Sequence, residues 1–182
     1  MHKSIVAWSF ACAVLAAGTA QAEMAAPPAA PATPAPVPDV MPFDIPYGES
    51  ITIAKAEKAI AAAVAEASKS PRNWKLAIAV VDPSGELVAF HKMDQTQLAS
   101  VGISQNKART AARYRRPSEA FANVMATPAG GYVATLASPP PTASPGGFPL
   151  LEGGKIIGAI GCSGATGAQD GQACTAGVNA LK

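Results

Sequence analysis

Residues 76–93, LAIAVVDPSGELVAFHKM, narrow the range of folds open to this chain. Leu76 to Val81 is a nearly unbroken apolar run, as expected of an interior strand. Asp82-Pro83-Ser84-Gly85 then suits a type I turn, with Pro presetting φ at the second position and Gly at the fourth. Leu87 to Met93 returns as the second strand of a hairpin. Alternation puts Leu87, Ala89, His91 and Met93 on one face, and Val88, Phe90 and Lys92 on the other.

The flanking segments read as helices and a second hairpin. Thr52 is placed to cap a helix whose apolar stripe is Ile53, Ala56, Ile60, Ala63, Val64 and Ala67, with Lys55, Lys58 and Glu66 opposite. That helix should end by Ser70, because Pro71 disfavours helical geometry in the residue before it. A second helix is predicted over Leu98 to Tyr114, with Val101, Ser104, Ala108 and Ala111 forming a narrow face that permits close packing. Pro117 opens a further short helix, where its missing N–H has no consequence. Residues 126–147 read as a loop, with a short strand at Tyr132 to Leu136, and such a segment can cover a pocket. Phe148 to Glu152 and Lys155 to Cys162 form the second hairpin, around Gly153-Gly154. In its last strand Gly158 and Gly161 leave gaps for a close backbone or a ligand. Thr166 and Gln169 make a capping box for a closing helix that buries Cys174, Val178 and Leu181. The order is that of an α+β domain with an antiparallel sheet.

Composition and termini bound the function. The chain has 182 residues. His2 and Lys3, an apolar Ile5 to Ala17 and the small-residue site Ala20-Gln21-Ala22 predict a signal peptide over 1–22, and hence a periplasmic or secreted protein. Residues 23–45 are Ala/Pro-rich and read as a disordered tether. The domain proper is 46–182. With Lys3 gone, thirteen basic side chains face twelve acidic ones, which argues against a general nucleic-acid binder. No later apolar run is long enough to hold the mature protein in a membrane. Cys162 and Cys174 remain after cleavage, and the sequence leaves open whether they are bridged or buried as thiols. No CxxC or Cys/His cluster supports a zinc site.

The richest chemistry lies in Leu87 to Phe121. There the one histidine of the mature chain, His91, is followed by Asp94 and by Lys107, Arg109, Arg113, Arg115 and Arg116. Ser163 lacks the glycine spacing of a nucleophile elbow and has only His91 as a possible base, so a triad is not expected. Asp94 and Asp170 carry no spacing that fixes a carboxylate pair, and Asp170 reads as a helix-dipole residue.

Three stretches, HKMD at 91–94, ASVGISQNKARTAARYRRPSEAF at 99–121 and LLEGGKIIGAIGCSGATGAQDGQAC at 150–174, resemble the GlcG/HbpS family of haem-binding and haem-degrading proteins. The likeness runs from about Thr52 to the C-terminus. It implies a profilin-like three-layer sandwich with a five-stranded antiparallel sheet, and a homo-oligomer. It also implies non-covalent haem, since no CxxCH is present. Haem needs an axial donor, apolar walls and cations for its propionates. His91 is the expected iron ligand, with Met93 and Tyr114 as further donors, and Lys107, Arg109 and Arg113 as carboxylate partners. The cofactor-binding set is therefore His91, Lys107, Arg109, Arg113 and Tyr114, in a haem carrier, buffer or sensor accessory with slow haem degradation as an added activity. A small-carboxylate protein of the glycolate type, using Arg109 and Arg113, is the alternative. The sequence does not decide whether the protein is an enzyme.

Overall fold

The computed structural model describes residue 41 and residues 43–182, apart from Ser70, Ala129 and Leu136. The expected signal peptide, and the tether as far as residue 40, lie outside the described residues.

Among the described residues nine elements follow in order: α1 (Ile53–Ser68), β1 (Ala77–Val81), β2 (Leu87–Lys92), α2 (Ser100–Arg113), α3 (Glu119–Met125), α4 (Gly130–Thr135), β3 (Gly147–Glu152), β4 (Lys155–Ser163) and α5 (Gly167–Asn179). The sheet has the order β2-β1-β4-β3, and every neighbouring pair is antiparallel. β1 and β4 are the inner strands, which is why they are apolar almost throughout. The sheet has four strands where five were expected. In place of a fifth, Pro46 to Ile51 lies along the start of β4, where β1 has ended. It makes only one parallel bridge, Tyr47 to Ile156.

Local signals account for most of the boundaries. The Thr52 hydroxyl accepts from the Lys55 amide and starts α1, and the Thr166–Gln169 capping box starts α5. The Gly85 amide donates to the Asp82 carbonyl, closing the β1–β2 turn. Gly153 and Gly154, both at positive φ, give β3–β4 the turn that matches strand twist. Tyr132 to Thr135 is helical and not a strand: α4 satisfies its backbone within its own turns, overriding the β-preference of Tyr and Val.

The sheet is covered on both sides. Ile78, Val80, Ile160 and Cys162 face α1 and α5, and meet Ala56, Ile60, Ala63 and Cys174 there. Ala79, Val81 and Ala159 face α2, and meet Ala108, Ala111 and Ala112. Each fully buried Ile or Leu contributes roughly 1.5–3 kcal/mol. The α2 side depends on closeness instead. A Cβ on Gly161 would collide with the Ser104 carbonyl and the Ala108 amide, so helix backbone and strand backbone touch there. A disulfide joins Cys162 of β4 to Cys174 of α5, with 5.7 Å between Cα atoms.

Glu66, expected on the polar side of α1, is buried and ties α1 to α5. It pairs with Lys69 and Arg72, and accepts from Gln172 of α5 at 2.9 Å. The Lys69 ammonium, then the Arg72 guanidinium, hold its carboxyl down at about 2, against an ordinary 4.5. A depressed carboxyl stabilises the fold above its unfolded value, and that contribution disappears as pH falls toward the folded one. Thermal melts between pH 6 and pH 2 should therefore show a steeper acid loss for the wild type than for Glu66→Gln. Parallel curves would contradict this.

Candidate functional site

His91 sits on β2, an edge strand, directly across from Ile78 of β1. Cross-strand partners point to the same side, so His91 shares the α1/α5 face with Ile78 and remains exposed there. The predicted alternation holds at His91 and Ala89 but fails at Leu87. A bulge between Val80 and Val81 sets Leu87 opposite Val81, which packs on the α2 side. Met93 packs at the margin of the α1/α5 core.

Beside His91 a groove of about 790 Å³ runs between α1 and β2. Ile53, Ile60, Ala61, Val64 and Ala65 of α1 form one wall, with Glu57 as its one acid; Ala89, Phe90 and His91 form the other. A second depression adjoins it across Val64 and His91, and is lined by Lys75, Lys92, Met93 and Asp94. Lys75 and Lys92 are additions to the site residues expected from the sequence. Both stand close to His91 in the sequence or in the sheet: Lys92 follows it, and Lys75 lies two residues before β1, the strand that pairs with β2.

Arg109, Arg113 and Tyr114 lie on the opposite side of the sheet, where α2 packs. They line a cleft of about 100 Å³ together with Asn106, Thr110 and residues 137–141. Part of the segment expected as a loop thus lines a cleft on the α2 side. That segment is held down by Thr110, whose hydroxyl accepts from the Thr142 amide at 2.9 Å, and by Ser118, which donates to the Ser144 carbonyl at 2.5 Å. Arg109 donates to the Gly85 carbonyl at 3.2 Å and to the side-chain oxygens of Asn106 and Gln105 at 3.3 and 3.4 Å, all neutral acceptors. Arg113 donates to the Ser84 carbonyl at 2.7 Å and lies 3.5 Å from Glu86. Tyr114 meets Phe121 edge to face at 4.9 Å.

Lys107 is in neither place. Its side chain is 2% exposed; the ammonium donates to Asp170 Oδ2 at 2.8 Å and to the Cys162 carbonyl at 3.0 Å. Asp170 Oδ1 accepts from the Ala165 amide at 3.0 Å. Burial pushes the Asp170 carboxyl above its ordinary value, outweighing the pull of Lys107. Ser163, also buried, hydrogen-bonds Ser100 on the α2 side, so the sheet stands between its hydroxyl and His91. The five residues expected to form one site are thus divided into a His91 groove, an arginine cleft and an internal ion pair. Among the described residues, no three His, Cys, Asp or Glu side chains converge as a metal site.

Comparison with known proteins agrees with this fold. A family model described as haem degrading protein HbpS-like matches residues 51–179. Protein GlcG of Escherichia coli K12 is 41% identical over 108 residues, which span 59% of this chain and 77% of GlcG. A double mutant of HbpS from Streptomyces reticuli superposes with a TM-score of 0.67 at 26% identity, covering 83% of this chain and 99% of that one. A solved PduOC:Heme complex superposes with a TM-score of 0.66 at 23% identity, covering 73% of this chain and 96% of that one, a likeness of fold alone. With its α+β architecture and a match across almost all of its described length, the chain belongs to the HbpS-like family.

Proposed function

We propose that this protein binds haem non-covalently in the groove between α1 and β2, with His91 as the axial ligand. The observation that carries the reading is the position of His91. It is an exposed imidazole on the wall of an apolar groove whose 790 Å³ falls within the roughly 300–1,000 Å³ of small-molecule sites. The donor set fits the group, since imidazole is a common haem ligand and the α1 aliphatics offer a plate for one porphyrin face. The family description and the haem-bound neighbour point the same way. When bound, haem supplies the redox chemistry of its iron. The chain supplies the donor nitrogen and the wall that keeps water from one face. Arg109, Arg113 and Tyr114 have no part in this site, because the sheet separates them from it, and Lys107 is engaged internally. Haemin titration followed at the Soret band is the test, and saturable binding is the expected result.

The Arg109 cleft supports a second reading, a site for a small carboxylate of the glycolate type. Arg109 lines it and has no acid partner among the ion pairs of the described residues. Saturable glycolate binding that is lost in Arg109→Ala, together with no binding of haemin, would favour that reading.

Export and assembly into a homo-oligomer belong to the same proposal. The disulfide is consistent with an oxidising compartment, and among the described residues no helix is long and apolar enough to cross a membrane. Exported protein that retained Met1, or that scattered light as a monomer, would contradict these parts.

A further inference from the structure

The groove is electrically lopsided. Glu57 lies on its wall two turns before Val64 along α1, while Lys75 and Lys92 line the depression that continues past Val64 and His91. None of the ion pairs among the described residues involves either lysine. Lys75 Nζ donates to the Asn73 side-chain oxygen at 2.5 Å, a neutral partner that leaves its charge uncompensated. Lys92 pairs with Ala77 and so is rooted on the other face of β2 from His91, but it stands exposed at the free edge and end of that strand and lines the depression there. The one acid of that depression is Asp94, so two cations face a single anion there.

A flat apolar ligand with two carboxylates on one edge has a defined orientation in such a field. Its carboxylates are repelled from Glu57 and drawn toward the lysines, whose long stems can follow the apolar wall while the ammonium stays in water. We infer that haem seated in this groove turns its two propionates toward Lys75 and Lys92, so that these lysines, and not Arg109 and Arg113, are its carboxylate anchors. The inference rests on haem occupying the His91 groove. It adds what that reading lacks, the direction in which the porphyrin lies. It also assigns Asp94 an opposing role, lowering affinity for the dianion.

The test uses the full chain with haemin and with haemin dimethyl ester, in which both propionates are neutral. Wild type, Lys75→Ala/Lys92→Ala, Asp94→Asn and a control of equal net charge, Lys155→Ala/Lys182→Ala, are titrated at low ionic strength. The lysine pair should weaken haemin binding about tenfold, the size expected for two solvent-exposed charge-assisted contacts. It should bind the dimethyl ester as the wild type does and keep the wild-type Soret position, since no iron ligand is touched. Asp94→Asn should bind haemin about twofold more tightly, through the loss of one exposed like charge. The control should match the wild type. If the lysine pair and the wild type prefer haemin over its ester by the same factor while His91→Ala still alters the spectrum, the anchor assignment is overturned and the groove survives. Wild type that binds neither porphyrin overturns both.

Discussion

Replacing Lys107 with Met should destabilise the protein by about 3–5 kcal/mol at neutral pH, because it strands Asp170 as an unpaired buried carboxylate. That is a large part of the roughly 5–15 kcal/mol that holds a domain together. The two side chains are 2% and 3% exposed, so water cannot replace the lost partner. The pH dependence has a definite sign. The Asp170 carboxyl already lies above its ordinary value in the folded protein, and removing the ammonium takes away the main influence that lowers it. A raised carboxyl favours the folded state when protonated and weakens it as pH climbs past the unfolded value. Urea unfolding of Lys107→Met should therefore show its largest deficit at pH 7 and a smaller one near pH 4. The double variant Lys107→Met/Asp170→Leu should recover much of the loss, since a packed apolar pair avoids the desolvation cost of the charges. A single variant as stable as the wild type at pH 7 would contradict the internal role given to Lys107.

Removing the Cys162–Cys174 bridge is the second large effect. The bridge closes a loop with a sequence separation of 12 and fastens α5 to β4. Constraining a loop of that size in the unfolded chain is worth about 3 kcal/mol, within the 2–5 kcal/mol span of native bridges in small exported domains. Cys162→Ala/Cys174→Ala should lower the urea midpoint accordingly, and reduction of the wild type should lower it by a similar amount. The second measurement separates the bridge from the cavity that two buried alanines leave. Two reactive thiols in denatured, unreduced protein from an oxidising compartment would contradict the pairing.

The elements that were legible in the sequence are those with a local physical cause. Thr52 and Pro71 bracket α1, Thr166 and Gln169 open α5, and Asp82 to Gly85 turn the first hairpin, each through backbone geometry within a few residues. The fifth strand came from the family likeness and not from any run of residues, and the structure has only the Tyr47 bridge in its place. α4 was misread because Tyr132 and Val133 favour strands, a preference that depends on neighbours this segment does not have.

The site was harder to read because it depends on which face of the sheet each helix takes. Alternation correctly set His91 beside Ala89, and nothing local disclosed the bulge that turns Leu87 away. No spacing within 87–121 says that α2 crosses to the other side of the sheet from His91, so one segment appeared to hold one site. Lys107 did leave a trace. It stands three residues after Ser104 and one before Ala108, on the small-residue face already assigned to close packing, and a lysine on that face must be paired. The gap at Gly161, expected to admit a close backbone or a ligand, admits the α2 backbone at Ser104 and Ala108.

Haem binding at His91 is tested most directly by titrating haemin into the full-length protein and into His91→Ala, with the Soret band as readout. The wild type should saturate, and His91→Ala should show a displaced Soret maximum with binding weakened about tenfold or more, since loss of the donor itself should cost at least as much as loss of an outer-sphere partner. Arg109→Ala/Arg113→Ala, altered on the far side of the sheet, should match the wild type in both respects. Saturable haemin binding by His91→Ala with an unchanged Soret maximum and unchanged affinity would contradict the assignment.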